Sequence, residues 1–124
     1  MQLQFFHIND LCRFADIILA QKPQQHIFNV GNPETVSVRE WVNLCYAAAG
    51  QTAECVEITK DIEQRNYFSF YNYEYTLDVT AQSVLMPHVT PLAEGLREAF
   101  LWYKDNADKV NKKPLFDFID KNLK

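Results

Sequence analysis

Glycine is scarce in this chain of 124 residues: there are three, Gly31, Gly50 and Gly95. No two of them fall within one loop. That excludes a glycine-rich turn of the kind that lets a backbone approach a pyrophosphate at a helix N-terminus. Long apolar runs are also missing, and none approaches the roughly 20 residues a membrane-spanning helix needs. No basic tract longer than Lys112-Lys113 occurs, and the net charge is -4. A nucleic-acid-binding role, which needs a cationic face, is disfavoured. Met1-Gln2-Leu3-Gln4 has neither the basic start nor the apolar run of a secretory signal. Cysteine is limited to Cys12, Cys45 and Cys55, an odd number without CxxC spacing. Reduced, partly buried thiols in a cytoplasmic protein are expected. His7, His26 and His88 share no metal-ligand spacing with each other or with the cysteines, so no metal site is expected.

What remains is the composition of an ordinary globular domain, 48% hydrophobic and 23% charged. The length supports one domain over residues 1–124. Phe5-Phe6-His7-Ile8-Asn9-Asp10-Leu11 reads as a short strand running into a helix capped by Asp10, with Leu11, Phe14, Ala15 and Ile18 on its buried face. His26–Val30 reads as a strand stopped by Gly31-Asn32-Pro33.

Ser37-Val38-Arg39-Glu40 is a capping box, with Val36 and Trp41 at staple positions. Val38, Trp41, Val42, Cys45, Ala48 and Ala49 form the apolar face of the helix that follows, and Gly50 is its natural stop. Glu54–Ile58 is a further strand candidate. Arg65–Thr76 carries Tyr67, Phe68, Phe70, Tyr71, Tyr73 and Tyr75 without a helical period and reads as extended or looped.

Asp78 can cap a short helix carrying Ala81, Val84 and Leu85. Thr90 and Pro91 suit the N-cap and N1 positions of a last long helix. Its inner face would be Leu92, Leu96, Ala99, Phe100 and Tyr103, with Lys109, Lys112 and Lys113 near its end. Leu115, Phe118, Ile119 and Leu123 suggest a terminal amphipathic helix. The fold class expected is α/β, in the form of an α+β fragment with helices on a small sheet.

Taken in order, these pieces resemble the C-terminal part of the extended short-chain dehydrogenase/reductase family, the NAD-dependent epimerases and dehydratases of nucleotide sugars. Phe6-His7-Ile8-Asn9-Asp10-Leu11 is similar to its strand-to-helix element, and Phe28-Asn29-Val30-Gly31 to its F-N-hydrophobic-G strand. Ser37-Val38-Arg39-Glu40 resembles its S-hydrophobic-x-E helix start. Leu77-Asp78-Val79-Thr80-Ala81 resembles its L-D-x-[ST]-[KR]-A element, with the alanine one place early. Thr90–Arg97, closed by Trp102-Tyr103, resembles its T-x-L-x-E-G-L-R…W-Y helix. Leu85-Met86-Pro87 stands where a G-W-x-P is usual.

The resemblance implies a substrate-binding lobe with a remnant strand and helix of the cofactor domain, most of the Rossmann domain being absent. NAD(P) is implied for the full-length family and not for this chain, which lacks the glycine loop. The family's Tyr-x-x-x-Lys pair is absent too: no tyrosine here has lysine four residues later. No catalytic residue is assigned.

Arg65 is the implied substrate-binding residue, because an arginine at that place in the family commonly holds the nucleotide-sugar diphosphate through its bidentate fork. Tyr67 could stack on a base or hydrogen-bond a phosphate. The plainer alternatives are a solvated arginine and an aromatic run serving core or interface. His7 reads as a core or hinge histidine bonding backbone, Asp10 as a cap, and Glu94 and Gly95 as architectural. Gly95 inside a helix costs about 1 kcal/mol against Ala, so close packing is its expected reason.

Two functions follow. One is the substrate side of an epimerase, dehydratase or reductase, inactive alone, with a nucleotide sugar and the missing N-terminal Rossmann domain as partners. The other is a stand-alone protein-interaction module derived from such an enzyme. The Asn29 strand, without its sheet neighbours, would offer an edge for self-association.

Overall fold

The computed structural model describes residues 2–55 and 75–110. Among these residues the chain forms a small α+β fold of four helices and one two-stranded sheet. Strand β1 (Gln2–Leu3) pairs antiparallel with β2 (Val36–Ser37), Gln2 opposite Ser37 and Leu3 opposite Val36. Asn32 extends the link by donating its N–H to Phe5 O at 2.7 Å. The expected strands are therefore displaced. Phe5–His7 and His26–Val30 are irregular, and the pairing falls on either side of them. Residues 26–30 are irregular, so the strand expected around Asn29 is not formed. Of the Glu54–Ile58 candidate, Glu54 and Cys55 are irregular; the rest of it, most of the aromatic segment and the terminal amphipathic stretch lie outside the described residues.

Helix α1 (Ile8–Gln21) begins two residues before Asp10, at an N-cap, His7, whose side chain makes no capping bond. Asp10 is thus not the cap. It lies in the first turn with its side chain turned inward. The helix closes at Lys22, whose left-handed backbone (φ 46°) directs its N–H to Ile18 O. Its buried face is Asp10 and Phe14, flanked by half-buried Ile17 and Ile18. Leu11 and Ala15, expected inside, are exposed. Phe14 meets Phe28 edge-on at 5.5 Å, which anchors the irregular segment to α1.

Helix α2 (Val38–Ala48) follows its local signals closely. The Ser37 hydroxyl accepts from Glu40 N–H at 3.2 Å, and Ser37 N–H donates to Glu40 Oε2 at 2.7 Å. Gly50, at φ 71°, sends its N–H to Ala47 O, while Gln51 N–H reaches Tyr46 O, which is the Schellman stop. The six residues expected on the inner face are all half-buried. Trp41 stacks on Phe5 at 5.7 Å, and α2 packs against α4.

Helix α3 (Thr80–Leu85) buries Gln82 rather than Val84, which is 77% exposed. The N-cap is Val79, not Asp78 as expected; Asp78, one residue earlier, accepts at Oδ1 from Thr80 N–H at 2.9 Å and from the Thr80 hydroxyl at 2.6 Å and so holds the turn before the helix. Helix α4 (Leu92–Asp105) starts one residue later than expected, with Pro91 in extended backbone before it. Thr90 does not cap α4; its hydroxyl is turned to Asp10. Tyr103 is exposed, contrary to expectation. Lys109 lies past the helix and donates to Asn106 Oδ1.

The deep core of the described residues joins α1, α3 and the segments between. It holds apolar Phe14, Val79 and Met86 and polar Asp10, Asn32 and Gln82. Among the described residues no buried side-chain nitrogen or oxygen lacks a hydrogen-bond partner, as burial of polar groups requires. No helix among them is long and apolar enough to cross a membrane.

Candidate functional site

A polar joint holds the fold beside an open cleft. Asp10 Oδ2 accepts Thr90 N–H at 2.6 Å, and Oδ1 accepts the Thr90 hydroxyl at 3.1 Å. Arg13 lies 3.0 Å from the same carboxylate and reaches on to the His88 carbonyl and the Met86 sulfur. The fully buried Gln82 clasps Gly31 at both ends: it accepts Gly31 N–H at 2.7 Å and donates to Gly31 O at 3.0 Å. Asn32 donates to Thr90 O and accepts Glu34 N–H. Asn29 donates to Asp78 O at 3.2 Å.

The cleft, about 590 Å³, opens between the segment Phe5–Asn9 and α4. That volume suits a small organic ligand. Leu92, Leu96 and Ala99 of α4 make an apolar floor, and Phe5 and Phe6 a wall. Trp102 and Tyr103 stand at its mouth, edge to face at 5.3 Å and each about half exposed.

His7 occupies the centre of the joint between wall and floor. Its Nε2 lies 3.4 Å from Glu98 Oε2, a charge pair only when the imidazole is protonated. The ring sits so close to α4 that a Cβ on Gly95 would lie 2.9 Å from His7 Cδ2. Any larger residue there displaces the ring or the helix. Glycine in this helix is thus a matter of approach rather than backbone conformation. His7 makes this ring contact rather than the backbone hydrogen bond expected of its side chain.

The residues singled out in the sequence divide into three groups. His7, Asp10, Asn29, Gly31, Asp78 and Gly95 converge on the joint. Ser37 and Glu40 serve α2 alone, and Glu94 is an exposed first-turn acid of α4, suited to the helix dipole. Arg65 and Tyr67 lie outside the described residues. Gln82, Asn32, Glu98 and Trp102 were not singled out as site residues. Only the last two carried a usable signal, a carboxylate and an indole one helical turn apart.

Among the described residues three titrations are shifted. The Ser37 backbone N–H, then its hydroxyl, hold Glu40 below the usual glutamate range. The Thr80 hydroxyl and N–H do the same for Asp78. Burial pushes the Cys45 thiol up, whereas Cys12 and Cys55 are exposed, contrary to the expectation of partial burial. Among the described residues no cluster of three or more His, Cys, Asp or Glu could hold a metal ion.

No family model, no curated protein and no solved structure matches this chain.

Proposed function

We propose that the chain is the substrate-side lobe of an NAD(P)-dependent nucleotide-sugar epimerase, dehydratase or reductase of the extended short-chain dehydrogenase/reductase type. It works in the cytoplasm and is inactive without a cofactor-binding Rossmann domain, which supplies the glycine loop and the Tyr-x-x-x-Lys pair. One observation carries the reading. Four of the five sequence pieces that resemble that family bind one another. The histidine of the first fits the glycine of the last, and the aspartate of the first holds its threonine. The Asn29-Val30-Gly31 piece is tied to the Asp78 piece and to Gln82 beside it.

A second feature fits the same reading. Ile8, Leu11, Cys12, Ala15 and Leu19 form an exposed stripe along α1, at the spacing of one helix face. On this reading the stripe packs on the cofactor domain.

Calorimetry with uridine and thymidine diphosphate tests the proposal. Weak binding is expected, abolished by Arg65→Ala, with no response to NAD. Turnover of a nucleotide sugar by the chain alone, or nucleotide affinity indifferent to Arg65, overturns it. The alternative, a protein-interaction module, is favoured by the same α1 stripe, which would then meet another protein. DNA upstream of Met1 that encodes G-x-x-G-x-x-G and Tyr-x-x-x-Lys in frame excludes the module.

A further inference from the structure

We infer that the cleft between Phe5–Asn9 and α4 binds a small organic cation, an ammonium or guanidinium group carried on an apolar body. Glu98 takes the charge and Trp102 the adjacent face. The inference does not rest on the nucleotide-sugar reading.

The charge inventory of the lining comes first. Among the described residues, Glu98 is the one carboxylate of the lining, and neither lysine nor arginine is part of it. His7 is the one basic side chain among the described lining residues, and it already faces Glu98 at 3.4 Å. A phosphate or carboxylate ligand would therefore meet the Glu98 carboxylate with only His7 as a basic neighbour among the described residues. The net charge of the whole chain, -4, has the same sign.

The remaining polar groups narrow the choice. Thr90 directs its N–H and hydroxyl to Asp10, and Asn32 is held by Thr90 O and Glu34 N–H. Those bonds close the joint and occupy these groups. Glu98 meets His7 through one carboxylate oxygen, Oε2, and Asn9, Trp102 and Tyr103 supply further polar ends of the lining.

The apolar part has a matching place. Glu98 and Trp102 are four residues apart on α4, so carboxylate and indole share one side of the helix. A cation held by Glu98 lies within reach of the indole face, the best of the side-chain π-systems for a cation. Its apolar body can settle on Leu96 and Ala99 below. The side chain of Glu98 is about half exposed. Solvent then weakens the charge interaction, and affinity should be modest, with a Kd of about 1 mM for a probe of benzyl size.

The test uses the full chain, labelled with nitrogen-15, and three probes of one shape: benzylammonium, benzyl alcohol and phenylacetate. The indole N–H of Trp102, assigned by its loss in Trp102→Phe, reports on the cleft. Benzylammonium should bind tightest and phenylacetate weakest, with shifts confined to the cleft. Glu98→Gln should weaken benzylammonium about fivefold, the scale of one exposed charge contact, and leave benzyl alcohol unchanged. The unchanged alcohol also shows that the variant is folded. Equal or tighter binding of phenylacetate, an unaltered benzylammonium affinity in Glu98→Gln, or no response of Trp102 to any probe would each overturn the inference.

Discussion

Helix α2 and the α1–α3–α4 joint are built by opposite means. Everything that starts and stops α2 lies within a few residues of its ends: the Ser37–Glu40 box, the Gly50 turn and a regular apolar face. The joint is made by pairs far apart in sequence, Asp10 with Thr90 and Gly31 with Gln82. The first kind of structure is exposed and its bonds are individually weak. The second is buried, and a buried polar group without its partner carries the full desolvation penalty. The fold should therefore be far more sensitive at the joint than at the caps. Each substitution below tests that ranking.

Asp10→Ala should have the largest effect. It strands the Thr90 N–H and hydroxyl and removes the partner of Arg13. Loss of a partner from a buried ion pair costs about 3–5 kcal/mol, and the half-exposed Arg13 places this case near the lower end, at about 3 kcal/mol. Urea unfolding should show the midpoint falling accordingly, and Asp10→Asn should fall less, since it keeps an acceptor for Thr90. Gln82→Leu comes next, at about 2 kcal/mol. Its shape is preserved, but Gly31 N–H and C=O are both left buried without a partner. If either variant proves no weaker than a lost helix cap, the contrast between the two regions fails.

Gly95 sharpens the comparison through its sign. Alanine in a helix interior normally gains about 1 kcal/mol over glycine. Here its Cβ would meet His7 Cδ2 at 2.9 Å, and overpacking of that kind costs about 1–3 kcal/mol. Gly95→Ala should thus destabilise the native chain and stabilise the His7→Ala variant, by about 1 kcal/mol each way. A double-mutant cycle read by chemical denaturation measures the coupling. Additive effects would mean that the approach of the ring to the helix does not constrain position 95.

The same contrast explains what could be read in advance. α2 was legible to its last turn because its signals are local. Asp10 was misread because its local meaning, an acid at the start of an apolar-periodic run, is that of a cap. Its real partners stand 80 residues away. Leu11 and Ala15 were assigned inward on periodicity alone, and periodicity cannot say which of two mildly apolar faces wins. The decision came from Asp10 and Phe14, which turn the other side of α1 to the core. Val84 lost its place to Gln82 for a similar reason: the Gln82 amide satisfies both backbone groups of Gly31, which no apolar side chain can. Residues 26–30 have strand composition, yet Asn29 and Gly31 bond to residues of the α3 segment instead of to a neighbouring strand. The cleft combined Gly95, a lone glycine in a helical pattern, with an i,i+4 pair of Glu and Trp. Only the former drew notice in the sequence.

The smallest effects belong to the caps. Ser37→Ala removes the acceptor of Glu40 N–H and should cost about 1 kcal/mol, with the α2–α4 contact otherwise intact. The cap also sets a pH dependence whose sign is fixed. Glu40 titrates below its usual range in the folded chain. Its stabilisation is complete above the unfolded value and is lost as pH falls through the depressed folded one. Asp78, held by Thr80, contributes with the same sign over an acid range set by the aspartate value. Glu40→Gln should therefore flatten part of the fall in stability on acidification and leave the Asp78 share, which Asp78→Asn then removes. Ser37→Ala should flatten it less than Glu40→Gln, because the bond from the Ser37 backbone N–H, the larger cause of the shift, survives the substitution. Urea midpoints for these variants across the acid range decide the matter. A Ser37→Ala profile as flat as that of Glu40→Gln would show that the hydroxyl, rather than the backbone N–H, holds the carboxylate ionised.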